Sequence, residues 1–383
     1  MKNNTHMEQT GLYIHIPFCV RKCQYCDFLS FSANEEERKT YVMRLNEEIR
    51  RAADFFPEIR NVDSIFIGGG TPSILSEGQM NQLFEGLHHS FEIDSMAEIS
   101  VECNPGTATL EKLKQYQKLG INRLSIGVQS LQNRELQKLG RIHKSQEAIQ
   151  TYHMAREAGF ENINLDLMSG IPEQSMASYE KTLFEICRLA PEHISAYSLI
   201  VEEGTPFYDQ YAEKPPVSED IDRQMYELTK EILAQYGYHR YEISNYAKSG
   251  FACKHNLKYW SGGDYLGLGL GAASKLGNVR YKNEADMTLY LQKIKQNNAI
   301  HEIEEVLTEE DRMAEFFILG LRKMQGVSRK EFEAQFAKTV EEQYGDTIRR
   351  MKEMNLLQDV DKNQIALTEA GIDVSNYVFQ HFL

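Results

Sequence analysis

An α/β fold built on a parallel sheet, followed by a smaller and mostly helical domain, is what this sequence predicts. Three observations predict it. Between residue 11 and about residue 200, six short apolar runs of β type alternate with longer amphipathic stretches. Polar or glycine residues follow each run, where the C-terminal ends of barrel strands hold their chemistry. From about residue 305 the hydrophobic period becomes helical, with one apparent hairpin.

The candidate strands are 12–16, 63–67, 98–103, 123–128, 163–168 and 194–199. Between them lie amphipathic helices, among them 36–55, 110–119 closed by Gly120, and 145–158 stopped by Gly159. The stretch 202–216, rich in Pro, Gly and charge, reads as a loop or linker. A helix over 219–236 and an aromatic, glycine-dense stretch over 238–277 come next. Helices 309–323, 329–336 and 340–354, with a hairpin about Asp361 and Lys362, predict a winged-helix-like domain. The expected organisation is a flexible N-terminus (1–10), a barrel (11–215), a connecting region (216–304) and the C-terminal domain (305–383).

A chain of 383 residues exceeds what one hydrophobic core usually accommodates, so two units, or one large barrel with an appendage, are expected. The net charge of −14 repels nucleic acid and anionic lipid at long range. Winged helices often bind DNA, but residues 301–383 hold 10 basic and 17 acidic side chains, so no nucleic-acid partner is expected. No apolar run reaches the roughly 18 residues of a membrane span, and the first ten residues show no apolar signal core. A cytoplasmic location is expected, with peripheral membrane contact left open. In that reducing compartment the six cysteines argue against a disulfide framework.

Three of those cysteines carry the main chemical signal. Cys19, Cys23 and Cys26 form a Cys-x3-Cys-x2-Cys triad in the loop after the first strand. Soft thiolates at this density bind iron–sulfur clusters or zinc. Structural zinc needs a fourth protein ligand, whereas three ligands suit a cubane with one open iron. Such an iron can chelate the amino and carboxylate groups of S-adenosylmethionine (SAM). Gly68-Gly69-Gly70-Thr71-Pro72 follows the second strand and lets backbone approach a ligand closely, but lacks the Gly-Lys-Ser/Thr ending of a phosphate loop. Glu102, Gln129 and Asp166 lie at or near the ends of strands three to five, and Arg141 follows strand four. Singly each reads as structural; together they face one barrel mouth and suit a zwitterionic ligand.

The stretch from Tyr13 to Cys26, Gly68 to Pro72, Val101 to Pro105, Ser125 to Gln129, Arg141 and Asn164 to Pro172 together resemble the radical SAM family that contains the oxygen-independent coproporphyrinogen III dehydrogenase, HemN. The resemblance runs in order over about residues 11–383. It implies a partial (β/α)6 radical SAM barrel and a 4Fe–4S cluster on Cys19, Cys23 and Cys26. It also implies that Tyr13, Tyr25, Gly69, Gly70, Thr71, Glu102, Gln129, Arg141 and Asp166 bind SAM.

Two features depart from the dehydrogenase: Asp27-Phe28 follows the triad without the further cysteine, and Tyr13 lies too near the start for its long N-terminal extension. Both are typical of the family's heme chaperone branch, which Cys253-Lys-His255-Asn-Leu-Lys-Tyr259-Trp260 also resembles. An imidazole suits an axial position on heme iron, and Tyr259 and Trp260, the only tryptophan, suit an apolar macrocycle. A lone histidine is more often structural than a ligand, so the role of His255 rests on the resemblance. The implied function is a chaperone that binds heme and delivers it to an acceptor protein. The rival is radical SAM decarboxylation of coproporphyrinogen III.

Overall fold

The computed structural model describes residues 9–383 apart from 58 and 60. Of the expected flexible stretch 1–10, residues 1–8 lie outside the described residues, and Thr10 already opens the first strand. Six strands run parallel and side by side in chain order: β1 (Thr10–Ile16), β2 (Asn61–Gly69), β3 (Glu92–Cys103), β4 (Arg123–Gln129), β5 (Asn162–Ser169) and β6 (His193–Ser198). The crossovers carry the helices Glu35–Phe55, Glu77–Ser90, Leu110–Lys118, Ser145–Glu157 and Met176–Leu189, and Glu219–Gln235 follows β6. The predicted β–α repeats are therefore present.

Alternation along these strands divides the sheet into two unlike faces. Leu12, Ile14, Ile65, Ile67, Val101, Leu124, Ile126, Ile163, Leu165 and Ile194 are buried in the core that the helices share. The side chains between them are largely polar and face inward: Ser64, Ser100, Glu102, Arg123, Ser125, Asn164, Asp166 and His193. The helices begin on side-chain caps. Asn34, Ser76 and Ser175 each close a capping box, which satisfies backbone donors that the first turn leaves free.

Residues 216–304 lengthen the sheet at both edges. β7 (His239–Glu242) and β8 (Asn245–Ala247) add antiparallel beyond β6. β9 (Tyr265–Leu268) pairs parallel with β1, and β10 (Ala273–Leu276), β11 (Val279–Asn283) and β12 (His301–Val306) continue as an antiparallel meander. The stretch 202–216 is not all loop. Its short helix Pro206–Tyr211 opens on the Thr205 cap, and the Phe207 amide donates to Gln24 O at 3.0 Å.

The C-terminal helices Glu309–Gly320, Arg329–Phe336 and Val340–Glu353 pack with a three-stranded sheet of β13 (Val327–Ser328), β14 (Leu357–Asp359) and β15 (Gln364–Leu367), in the order β13-β15-β14. This is the expected winged-helix-like arrangement. It has a core of its own, in which Phe317 and Phe382 stack at 4.4 Å between ring centroids. Arg322 covers the Trp260 ring at 4.4 Å, and Arg240 pairs with Glu369, so the unit is tied to the barrel.

One glycine is indispensable to that unit. Gly326 sits at φ +71°, and a Cβ there would lie 1.9 Å from the Ile365 carbonyl oxygen. Left-handed strain and overpacking together cost roughly 2–5 kcal/mol. Gly326→Ala is therefore expected to lower the urea midpoint of the C-terminal unit, and an unchanged denaturation curve would contradict this account.

Candidate functional site

A cavity of about 370 Å³ opens at the C-terminal ends of the parallel strands. The cysteine loop that forms one wall is held by backbone pairing. Cys19 N donates to Phe31 O at 3.0 Å, Phe31 N to Pro17 O at 2.9 Å and Gln24 N to Leu139 O at 3.1 Å. His15, on the inner face of β1, meets Leu29 O through Nε2 at 2.9 Å. The glycine loop after β2 zips onto the same segment: Gly70 N donates to Ile16 O at 2.9 Å and Thr71 N to Phe18 O at 2.7 Å. A Cβ on Gly70 would come within 2.7 Å of Phe18 O, and one on Gly69, at φ +106°, within 2.4 Å of the His15 ring. These glycines let two loops touch, as well as lining the cavity.

The three thiols line the cavity and none is in a disulfide. Each of two has a donor: Thr71 Oγ1 to Cys19 Sγ at 3.4 Å, and Arg141 Nη1 to Cys23 Sγ at 3.7 Å. A guanidinium and a hydroxyl directed at sulfur favour thiolates, the form that binds metal. Burial pushes the Cys26 thiol up from its ordinary range. Among the described residues no three His, Cys, Asp or Glu side chains close round a single-ion position. The fit to a cluster rests on the free thiols and their donors.

Opposite them stand two carboxyl groups without an ion pair among the described residues. Glu102 accepts from Gly69 N at 3.0 Å; burial first, and then the Asp166 charge, push it up to about 8. Asp166 accepts from Asn164 Nδ2 at 2.6 Å and from Ser125 Oγ at 3.3 Å, and burial raises it too. A bound cation would relieve both groups, so the cavity suits the ammonium and sulfonium of SAM. Gln129 ends β4 in the left-handed region at φ +65°, a strain of about 1–3 kcal/mol that marks functional positions. Its Oε1 accepts from Tyr197 OH at 3.0 Å.

Eleven of the expected residues thus meet in one cavity: Cys19, Cys23, Tyr25, Cys26, Gly69, Gly70, Thr71, Glu102, Gln129, Arg141 and Asp166. Asn104, Ser125, Met168 and Tyr197 line it as well, and sequence reasoning missed them. Stepping by two along the strands, from Glu102 to Asn104, from Gln129 back to Ser125 or from Asp166 to Met168, would have found three of the four.

Tyr13 does not line this cavity, and His255, which the sequence connects with heme and not with SAM, lies apart from it. The Tyr13 hydroxyl contacts His15 Nδ1 at 3.0 Å, and its ring borders a second cleft of about 350 Å³ with Tyr259, Trp260 and Tyr265. His255 sits near Gly11, Ser64 and Glu98, at the opposite end of the strands, with only 1 % of its surface exposed. Its Nδ1 bonds Ser64 Oγ at 3.0 Å, its Nε2 bonds Tyr259 OH at 2.8 Å, and its ring stacks on Phe66. Burial, then Lys258, press it down to about 3. Both ring nitrogens are hydrogen-bonded, so an axial bond from His255 to heme iron would require Ser64 or Tyr259 to give up its contact. Ser64 is 191 residues away in the chain.

Comparison with known proteins places these features in a family. Residues 13–186 match the radical SAM superfamily, and residues 307–374 match the HemN C-terminal domain. The heme chaperone HemW of Lactococcus lactis subsp. lactis (strain IL1403) is 36 % identical, with 97 % of this chain and 96 % of the relative covered. The heme chaperone HemW of Bacillus subtilis (strain 168) is also 36 % identical, over 97 % and 98 % of the two chains. The solved structure of coproporphyrinogen III oxidase (HemN) from Escherichia coli superposes with a TM-score of 0.87 at 24 % identity, covering 99 % of this chain and 91 % of that one, a likeness of fold.

The contacts of His255 carry a prediction about stability. His255→Ala leaves the Ser64 and Tyr259 hydroxyls short of a partner and opens a cavity beside Phe66. A loss of roughly 2–4 kcal/mol is expected, read as a lowered melting temperature with unchanged iron and sulfide content. Unaltered melting would show that these contacts carry little stability.

Proposed function

Because the chain belongs to the heme chaperone HemW family of radical SAM proteins, we propose that it binds heme and passes it to an acceptor protein while carrying a SAM-ligated 4Fe–4S cluster. The observation that carries the SAM half is the convergence of three free thiols and two unpaired carboxyl groups on one cavity. In this reading Cys19, Cys23 and Cys26 would hold the cluster, which would supply an open iron for SAM and one-electron reduction of its sulfonium. Thr71 and Arg141 stabilise the thiolates. Glu102 and Asp166 face the cationic part of SAM, while Gly69, Gly70, Tyr25 and Gln129 shape its walls. Tyr13 acts at one remove, through His15.

Heme is assigned to the aromatic cleft of Tyr259, Trp260 and Tyr265, with Lys275 and Arg280 on its border for the propionates. His255 supports that wall through Tyr259, and its Nε2 would be available to heme iron only where Tyr259 gives it up. The division into barrel (11–215), connecting region (216–304) and C-terminal domain (305–383) belongs to the same reading. No helix among the described residues is long and apolar enough to cross a membrane. We place the protein in the cytoplasm, with peripheral membrane contact at the point of delivery and no nucleic-acid partner.

The second reading, a coproporphyrinogen III dehydrogenase, is favoured by fold alone. Reconstituted protein should bind heme with a Soret band, and should form no protoporphyrinogen IX from coproporphyrinogen III with reductant and SAM. Decarboxylation in that assay would overturn the chaperone reading. Cys23→Ala should abolish the broad visible iron–sulfur absorption, and Cys103→Ala and Cys187→Ala should keep it. Retained iron and sulfide in the Cys23 variant would overturn the cluster assignment. Trp260→Ala should weaken heme binding about tenfold, the loss of one well-packed aromatic contact, with the cluster intact. Superimposable heme titrations would move heme elsewhere.

A further inference from the structure

We propose that Arg280 and Glu315 make the aromatic cleft selective for a flat ligand that carries a carboxylate: Glu315, from the C-terminal unit, is an internal rival that the ligand carboxylate displaces from Arg280. The proposal rests on the heme reading given above and deepens it. It names the contact that reads a propionate and the part that the C-terminal unit plays in it.

Strand register builds one side of the cleft. Tyr265 on β9 pairs with Lys275 on β10, Lys275 with Arg280 on β11, and Arg280 with Glu305 on β12. Residues paired in such a row share a face of the sheet, and the first three border the cleft. The helix Glu309–Gly320 supplies the facing side. Its Leu319 lines the cleft, and Glu315, four residues earlier and so on the same helix face, forms an ion pair with Arg280 Nη2. Aromatic rings and two cations thus stand on the barrel side, with a leucine and a carboxylate opposite.

Of the two cations, Arg280 is the one held by groups that a ligand can replace like for like. Lys275 Nζ donates to Gly262 O at 2.8 Å and to Gly277 O at 3.2 Å, backbone groups that cannot turn away unless the chain moves. Arg280 is held by side-chain carboxylates, Glu315 at Nη2 and Glu305 at 3.7 Å from Nε, with the Tyr265 phenol beside it. Its planar fork suits any carboxylate, and exchanging one for another keeps a partly buried guanidinium paired. A third carboxylate added beside Glu305 and Glu315 would meet like charge, so a propionate replaces Glu315 instead of joining it.

Attachment of the C-terminal unit does not depend on this pair. Arg322 covers Trp260, Lys323 Nζ donates to Ser261 Oγ at 3.1 Å, Met324 N donates to Tyr241 O at 3.0 Å, and Arg240 pairs with Glu369. Glu315 can therefore let go of Arg280 while the unit stays in place.

Trp260, the only tryptophan, lines the cleft, so quenching of its emission reports occupancy without depending on an axial iron bond. The test titrates the cluster-reconstituted full chain with heme and with heme dimethyl ester, whose esterified propionates carry no charge. Circular dichroism is the folding control. The unaltered protein should bind heme about tenfold more tightly than the ester, the size of one charge-assisted contact. Arg280→Met should weaken heme binding about tenfold and leave the ester unchanged, which abolishes the preference. Glu315→Gln removes the rival charge but keeps its shape, and should tighten heme binding roughly threefold to tenfold, with the ester again unchanged. It decides the matter alone if Arg280→Met does not fold. Equal affinity of the unaltered protein for the two molecules, a preference that survives in folded Arg280→Met, or a Glu315→Gln variant that binds heme no more tightly would overturn the proposal. Binding of neither molecule, or binding of both with Trp260 emission unchanged, would instead overturn the heme reading of the cleft.

Discussion

The inner face of the parallel sheet is polar, and a polar face shut away from water has to be paired. That constraint organises the molecule. At the lower end of the strands, Glu98 accepts from Cys253 Sγ at 3.3 Å and from the backbone amides of Lys254 and His255 at 3.2 Å each. His193 is held between Asn164 Oδ1 at 2.6 Å and Tyr241 OH at 2.8 Å. The strands and the short helix added after residue 237 thus supply partners that the six β–α repeats lack. An unpaired polar atom in such a place costs about 1–3 kcal/mol, enough to make these contacts obligatory for a marginally stable fold.

The upper end shows the opposite treatment. There the carboxyl groups of Glu102 and Asp166, the thiols and a strained Gln129 are left facing a cavity instead of being neutralised by neighbours. Electrostatic stress that would be a defect elsewhere becomes readiness for a cationic ligand and a metal group. The two ends are made from the same strands, one inward residue apart at each step. Their difference therefore comes from which loops close over them. The cysteine and glycine loops meet by backbone hydrogen bonds and expose side chains, whereas helix Lys254–Trp260 closes the floor with side chains of its own.

His255 shows how a local motif takes its contacts from the fold around it. Its sequence context, an imidazole four residues before a tyrosine that adjoins the only tryptophan, suits a macrocycle as well as a helix face. In the fold the same spacing of four puts Tyr259 OH on Nε2, because residues one helical turn apart share a face. Tyr259 and Trp260 line a cleft with Tyr265, and the histidine holds Tyr259 from behind.

From the amino-acid order alone came the six repeats, the cysteine triad, the strand-end polar residues and the helical C-terminal unit. Each is encoded by local periodicity or by spacing within one loop, and neither needs a distant partner to be recognised. Three things required the tertiary structure. The strands of residues 238–306 join both edges of one sheet, where Ala247 pairs with His193 and Tyr265 with Gly11, 54 and 254 residues apart. Tyr13 turns its hydroxyl to His15, two residues along its own strand, and His255 meets Ser64 from 191 residues away. Arg123 reads in sequence as the first residue of an ordinary strand. Only the register of β3 against β4 sets it opposite Ser100, because the neighbours of an inward side chain are set by pairing between strands and not by order along one.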